Sequence, residues 1–349
     1  MNSAANTTMH QSDSGFAVLQ PGIFSLIEDA GRFGMHGFGL TTGGPLDRNA
    51  FRWANRLCAN PPNCAAIEIT VGGLVLQSNV NTTIAVSGAS MPLTINRQPK
   101  ALWRSHRVIA GDRIELGFAT AGTRAYLAVA GGFQIEAIFN SVASVPRESL
   151  GGLHRDGSPL RADDLLPCPD QKDKSQSPEL RLPQRLQPDY SSNRALLRVI
   201  PGYQQALFSD LQKQRFFSSE YRVTESCDRM GYRLSGAAIA PSADGILSEG
   251  ICLGAIQVPA DGQPIVLLND RQTIGGYPKL GSVLSLDIGK LAQLAPGGTV
   301  RFEAISIEQA HNQLLLDQQF FNKTELEIMA NSDGLSRSAL VKDSREGLS

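Results

Sequence analysis

The segment Arg124-Ala125-Tyr126-Leu127-Ala128-Val129, closed by Ala130-Gly131-Gly132-Phe133, is a short apolar run that ends on paired glycines. A run of this length is strand-sized, and glycine permits the tight turn that must follow it. The pattern repeats in both directions along the chain. Before it stand strand-like runs at 16–19, 23–27, 74–76, 82–86, 93–95 and 113–116. After it a second series runs through 195–200, 221–224, 255–258, 265–268, 283–286 and 299–305. With 34 Gly and 19 Pro among 349 residues, many short strands and few helices predict a mainly β protein built of barrels or sandwiches.

Three helices are expected among these strands. Residues 45–58 carry Leu46, Ala50, Trp53, Ala54 and Leu57 at helical spacing, which makes Trp53 a core residue, and Pro45 suits a first turn. Residues 202–210 form a shorter candidate. Residues 306–320 open with Ser306 and Gln309 at capping-box spacing and continue through Ala310, Leu314 and Leu315. Residues 167–194 are dense in Pro, Gln, Ser, Lys and Asp, a composition that buries little surface. The expected organisation is therefore a poorly ordered 1–15, a β-rich lobe at 16–166 and a linker or mobile loop at 167–194. A second β lobe with its closing helix follows at 195–321, then a poorly ordered tail at 322–349.

Composition excludes several classes. The 32 basic and 33 acidic side chains leave a formal net charge of -1, which builds no positive field for nucleic acid. The longest apolar runs, such as 125–130 and 264–268, are far too short to span a membrane as a helix. The polar N-terminus lacks the charged start and apolar stretch of a secretory signal. Cys58, Cys64, Cys168, Cys227 and Cys252 are scattered, without disulfide-framework or zinc spacing, so a reducing, cytoplasmic setting is expected. No Gly-x-Ser-x-Gly elbow or His-Glu-x-x-His motif occurs. An acidic neighbour, Asp228, disfavours a Cys227 thiolate.

Three clusters carry chemistry. The first runs from Gly31-Arg32-Phe33-Gly34-Met35-His36 to Gly43-Gly44-Pro45-Leu46-Asp47-Arg48, with six glycines in the fourteen residues 31–44. It leads into a helix N-terminus, which favours an anion, although a packed glycine-rich turn reads equally well. No Gly-Lys-Ser/Thr ends it, so it is not the common phosphate loop. His36 is the one histidine placed to act, against the commoner fate of a structural histidine. The second cluster is Ser226-Cys227-Asp228-Arg229-Met230-Gly231-Tyr232-Arg233-Leu234. Its Asp-Arg pair, like Asp47-Arg48, suits either phosphate and Mg²⁺ or an ordinary ion pair. The third spans Gly254–Gln263 and Asn269-Asp270-Arg271-Gln272-Thr273-Ile274-Gly275-Gly276-Tyr277-Pro278, where amides and a hydroxyl crowd apolar strands. A substrate site or a satisfied turn network would each use these groups.

Taken together, these motifs resemble a known family. Gly43-Gly44-Pro45-Leu46-Asp47-Arg48 with Ala54-Asn55-Arg56-Leu57, then Glu68-Ile69-Thr70 with Gly72-Gly73, stand in the family's order. Ala128 to Phe133, Asp228 to Leu234, 254–264 and 272–278 complete the series. The chain, over about 16–315, resembles the biotin-dependent carboxyltransferase family, which takes in allophanate hydrolase subunit 2 and the C subunit of 5-oxoprolinase. One stretch departs: members carry Gly-Ser-Arg-Ser-Thr after the Gly-Gly-Phe strand, where this chain reads Asn140-Ser141-Val142-Ala143-Ser144 without the arginine.

The resemblance implies a cyclophilin-like β-barrel architecture in two lobes, 5-oxoprolinase subunits A and B as partners, and cleavage of 5-oxo-L-proline to L-glutamate coupled to ATP with Mg²⁺. It leaves two alternatives: a carboxyltransferase component using carboxybiotin in trans, since no biotin-accepting Met-Lys-Met occurs in this chain, or a non-catalytic regulatory binder of the B partner. On residue chemistry, Asp47, Asp228 and Asp270 are candidates for Mg²⁺. Arg48, Arg229 and Arg271 are candidates for phosphate or substrate carboxylate. Gln257, Gln272 and Thr273 would orient the amide, with Gly275, Gly276, Tyr277 and His36 lining its approach. Activation of a lactam asks for positioning and charge stabilisation, so these residues are expected to converge on one pocket.

Overall fold

The structure is a computed structural model that describes residues 14–171, 178–243 and 245–329. Most of both terminal segments, 1–13 and 330–349, lies outside the described residues. The fold is mainly β, a cyclophilin-like architecture in two lobes with a few short helices.

In the N-terminal lobe the strands are β1 (Gly15–Pro21), β2 (Phe24–Glu28), β3 (Ala66–Thr70), β4 (Leu74–Ser78), β5 (Thr82–Ser90), β6 (Leu93–Ile95) and β7 (Gln98–Lys100). They continue with β8 (Arg104–Val108), β9 (Arg113–Leu116), β10 (Ala121–Val129), β11 (Leu165–Pro167) and β12 (Glu179–Arg181). One sheet has the order β11-β1-β4-β9-β6-β7. The other contains β2-β3-β10-β5-β8-β12. Alternate residues of the facing strands, among them Phe16, Ile27, Ile67, Ile69, Leu76, Ile114, Ala125 and Leu127, fill the core between them.

The C-terminal lobe comprises β13 (Arg194–Pro201), β14 (Tyr221–Cys227), β15 (Gly231–Ser235), β16 (Glu249–Gly250), β17 (Ala255–Gln257), β18 (Ile265–Leu267), β19 (Ile274–Gly275), β20 (Lys279–Val283) and β21 (Thr299–Ala304). Seven of these close a barrel in the order β13-β20-β17-β18-β15-β14-β21, sealed by the parallel pair β13 and β21. Closure leaves no free edge in this sheet. The pair β16 and β19 stands apart as a two-stranded flap.

Helix α1 (Arg48–Leu57) begins three residues later than its apolar phase suggests. Asp47 accepts a hydrogen bond from the Ala50 N–H (3.0 Å) and so caps the helix, leaving Pro45 outside it. Ala50, Phe51, Trp53, Ala54 and Leu57 are buried against β5 and β10, so Trp53 is core. The 202–210 segment is a 3₁₀ turn at Tyr203–Leu207; the α-helix α2 (Asp210–Ser218) follows it because Ser209 caps there. Helix α3 (Ile288–Ala292) covers one end of the barrel. Helix α4 (Ile307–Lys323) has the full capping box of Ser306 and Gln309, but Leu314 and Leu315 are exposed.

Two segments extend beyond the sequence-level boundaries. Within 167–194, β12 joins β8 at the sheet edge and Leu182 is fully buried, because two leucines suffice once a strand edge is available to pair. Beyond residue 322, β22 (Glu327–Met329) pairs with β12. The closing helix thus returns to the first lobe: the Trp53 and Phe321 rings lie 4.6 Å apart and Arg52 bonds Asp317 at 2.7 Å. No helix among the described residues is long and apolar enough to cross a membrane.

Candidate functional site

Where the lobes meet, β2, β3 and β10 turn their second face toward the barrel. Ile27, Ile67, Ile69 and Ala125 point into the sandwich, so Glu28, Glu68, Arg124 and Tyr126 point at the seam. The barrel supplies Arg229 from the β14–β15 turn and Asp270 from the loop after β18. Arg229 grips Asp270 with two parallel bonds of 2.8 and 3.0 Å, bonds Glu68 at 2.5 Å and donates to the Gly44 carbonyl at 2.8 Å. Glu68 also accepts from Tyr126 Oη (2.7 Å) and from the Leu46 N–H (2.9 Å). Gly44 is at φ 85°, and a Cβ there would lie 2.9 Å from the Ala30 carbonyl, so the turn requires glycine.

The hub fixes charge states. Burial pushes the Glu68 carboxyl up, but Arg229, Arg124 and the Tyr126 hydroxyl outweigh it, and Glu68 is held below its ordinary range. Burial raises Glu28 well above that range, and the Arg229 charge does not restore it. Arg229 is held well above its ordinary value because its acidic neighbours, Asp270 first, outweigh its own burial. Arg124 donates to Tyr232 Oη (2.8 Å) and to the Ala292 carbonyl, and Gln293 ties Arg124's backbone to Asp47.

The sequence candidates separate into three places. Arg229 and Asp270 form the hub and line a cavity of about 390 Å³ with Arg124, Arg147 and Asp228. The Asp228 carboxylate folds back on the Met230 and Gly231 N–H groups of its own turn. Asp47 caps α1 and accepts from Tyr190 and Gln293, while Arg48 is exposed on a separate cavity of about 640 Å³ between α1 and α4. The two Asp-Arg pairs therefore do not share one pocket. Asp47 and Asp270 have both oxygens committed to internal donors, Asp228 has one, and among the described residues no group of three His, Cys, Asp or Glu is arranged for a metal. These donor sets do not fit Mg²⁺.

The third place is the barrel mouth. Arg271 follows Asp270 but turns the other way, donating to the carbonyls of Ile251 (3.1 Å) and Leu268 (3.2 Å), with His36 Nε2 at 3.3 Å. None of these partners is a carboxylate. Burial and the Arg271 charge lower the His36 pKa, so the ring is neutral at pH 7. Gln257 is buried on β17, and its amide nitrogen has no hydrogen-bond partner. It sits against Gly275, where a Cβ would lie 2.9 Å from that nitrogen and 3.7 Å from the Gln272 amide nitrogen. The Thr273 carbonyl accepts from the Ile251 N–H (2.9 Å), and Gly276 packs on Ile246 and Ser248. Tyr277, Ile274, Leu247 and Tyr203 are exposed around it. The flap thus brings Gln257, Gln272 and Gly275 together, while His36 meets Arg271.

A family model described as carboxyltransferase domain, subdomain A and B, matches residues 38–304. The chain belongs to this carboxyltransferase family. Among relatives it is 34% identical over 300 residues to the 5-oxoprolinase C subunit of Haemophilus influenzae, covering 84% of this chain and 93% of that protein. With the 5-oxoprolinase C subunit of Escherichia coli it shares 33% identity over 309 residues, 88% of this chain and 96% of that one. The crystal structure of Kluyveromyces lactis urea carboxylase superposes with a TM-score of 0.83 at 27% identity, over 92% of this chain but 30% of that enzyme. This carboxyltransferase chain spans nearly the whole of the two 5-oxoprolinase proteins and less than a third of the urea carboxylase.

Glu28, Arg124, Tyr126 and Asn269 carry much of the seam, yet sequence reasoning assigned them no role. Asn269 donates to the carbonyls of Gly43, Gly44 and Pro45 at 3.0–3.2 Å. The available signal was a charged residue between apolar neighbours, as in Ile67-Glu68-Ile69.

Proposed function

We propose that this chain is the C subunit of an ATP-dependent 5-oxoprolinase that cleaves 5-oxo-L-proline to L-glutamate together with subunits A and B in the cytoplasm. The supporting observation is coverage: the chain matches its two 5-oxoprolinase relatives nearly end to end. The barrel mouth suits the substrate's two functional groups. Arg271 is a buried cation whose hydrogen bonds go to carbonyls beside a neutral imidazole, so an incoming carboxylate would be its first directly bonded acidic partner. The unpartnered Gln257 amide and neighbouring Gln272 would hold the lactam.

ATP with Mg²⁺ is placed on one of the partner chains, because Asp47 and Asp270 are already committed to donors within this chain. The nucleotide would supply phosphorylation of the lactam oxygen, which makes the carbon attackable by water. This chain's part is to bind and orient the ring. Tyr203, Leu247, Ile274 and Tyr277, exposed around the mouth, fit a site that a partner completes.

A second reading, transfer of a carboxyl group from carboxybiotin carried in trans, is favoured by the family model and the urea carboxylase likeness. One assay separates the two. ADP release by the three-chain mixture should depend on 5-oxoproline and fall to background when this chain is omitted. An unchanged rate on omission overturns the proposal, and carboxybiotin-dependent transfer without 5-oxoproline turnover would establish the second reading.

A further inference from the structure

The hub holds three buried carboxylates, Glu28, Glu68 and Asp270, against two arginines, Arg229 and Arg124. With every group ionised, this set carries one uncompensated negative charge in a buried seam, which is costly. Donor bookkeeping identifies where a proton would sit. Glu68 takes Arg229 Nη1 on one oxygen, and Tyr126 Oη and the Leu46 N–H on the other. Both oxygens of Asp270 are held by the Arg229 fork. Glu28 has neither: no hydrogen bond reaches either of its oxygens, although both are buried. Its nearest cation is Arg229 Nη2, 3.2 Å from Oε1. That nitrogen carries two hydrogens, and both are engaged, one by the Gly44 carbonyl and one by Asp270 Oδ1.

The other charged groups facing Glu28 do not change the balance. Asp29, next in sequence, is satisfied by the Gly31 and Val142 N–H groups and by Ser141 Oγ. Arg32 is turned to the Ile138 and Ala143 carbonyls. Glu148, near Asp270, accepts from the Thr41 N–H and from Arg147.

We infer that Glu28 is a neutral carboxylic acid in the resting protein and acts as a positioning residue, its proton keeping the Arg229 fork on Asp270 and the Gly44 turn. An ionised Glu28 would compete for an Nη2 hydrogen, at the expense of the Gly44 carbonyl or of Asp270. The direction of its pKa, raised by burial, agrees with this assignment. This inference concerns the chain alone and does not rest on the proposed reaction.

The sign of the pH dependence follows. A carboxyl whose folded pKa is raised binds its proton more tightly folded than unfolded, so it favours folding at low pH. That contribution is lost as pH climbs from the ordinary glutamate range toward the folded pKa. Glu28→Gln mimics the neutral acid and removes this loss. In urea titrations across pH 4 to 8, the folding equilibrium of the wild-type chain should fall relative to Glu28→Gln, by up to about tenfold per pH unit while Glu28 stays protonated. A wild type that gains on the variant as pH rises, or runs parallel to it, would overturn the inference. A second measurement uses the wild type alone, should the variant fail to fold. With ¹³C-carboxyl-labelled glutamate, one glutamate resonance should keep its protonated shift at pH 7. All glutamates titrating in the ordinary range would equally refute the inference.

Discussion

The seam hub and the barrel mouth are built from neighbouring residues, Asp270 and Arg271, yet they obey opposite rules. In the hub, Arg229 is matched bond for bond with Asp270, Glu68 and the Gly44 carbonyl, and the same side chains join two lobes. In the mouth, Arg271 meets no carboxylate, Gln257 has a free amide and the surrounding apolar side chains are exposed. A buried cation matched by carboxylates is spent on architecture; one that bonds no carboxylate has its charge available for a ligand. The comparison therefore assigns stability to the hub and recognition to the mouth, although the sequence presents both as similar polar motifs.

Substitutions can break this division. Arg229→Met leaves the Glu68 and Asp270 carboxylates without the cation they share, and a loss of about 4 kcal/mol is expected, read by urea unfolding. Glu68→Gln keeps a partner for Tyr126 and Leu46 but withdraws one counter-charge, so a smaller loss of about 3 kcal/mol is expected in the same titration. Gln257→Leu removes an amide that already lacks a partner, and stability should change by less than about 1 kcal/mol in either direction. Arg48→Ala, on the exposed side of α1 away from both regions, should stay within about 0.5 kcal/mol and leave turnover unchanged. If Gln257→Leu proves as damaging as Arg229→Met, the mouth is architecture too and the contrast fails.

How much of this was legible in the chain depends on which face of an element pattern reading can assign. The α1 stripe ending at Leu57 and the Ser306–Gln309 box are local, and both appear as expected apart from where α1 starts. The start moved because a capping aspartate, not the proline, satisfies the first free N–H groups. Strand β12 was hidden because its residues bury little alone and gain their partners from β8 and β22, 75 and 146 residues away in the Arg104 and Glu327 pairings with Glu179 and Arg181. Glu28, Glu68 and Arg124 were hidden for a different reason. Alternation in a strand marks one face as polar and is ordinarily read as facing water. Here a second domain covers that face, and only the paired lobes reveal that the polar residues are buried. The expected convergence of both Asp-Arg pairs failed on the same ground: Asp47 is a helix cap, and caps are fixed by the nearest turn, not by a distant site.

The most direct test is 5-oxoproline-dependent ADP release by the three-chain complex carrying Gln257→Leu, measured on material whose assembly and unfolding transition match the wild type. The account predicts an intact complex whose turnover is largely lost. Wild-type turnover by that complex would contradict it, and would place substrate recognition somewhere other than the barrel mouth.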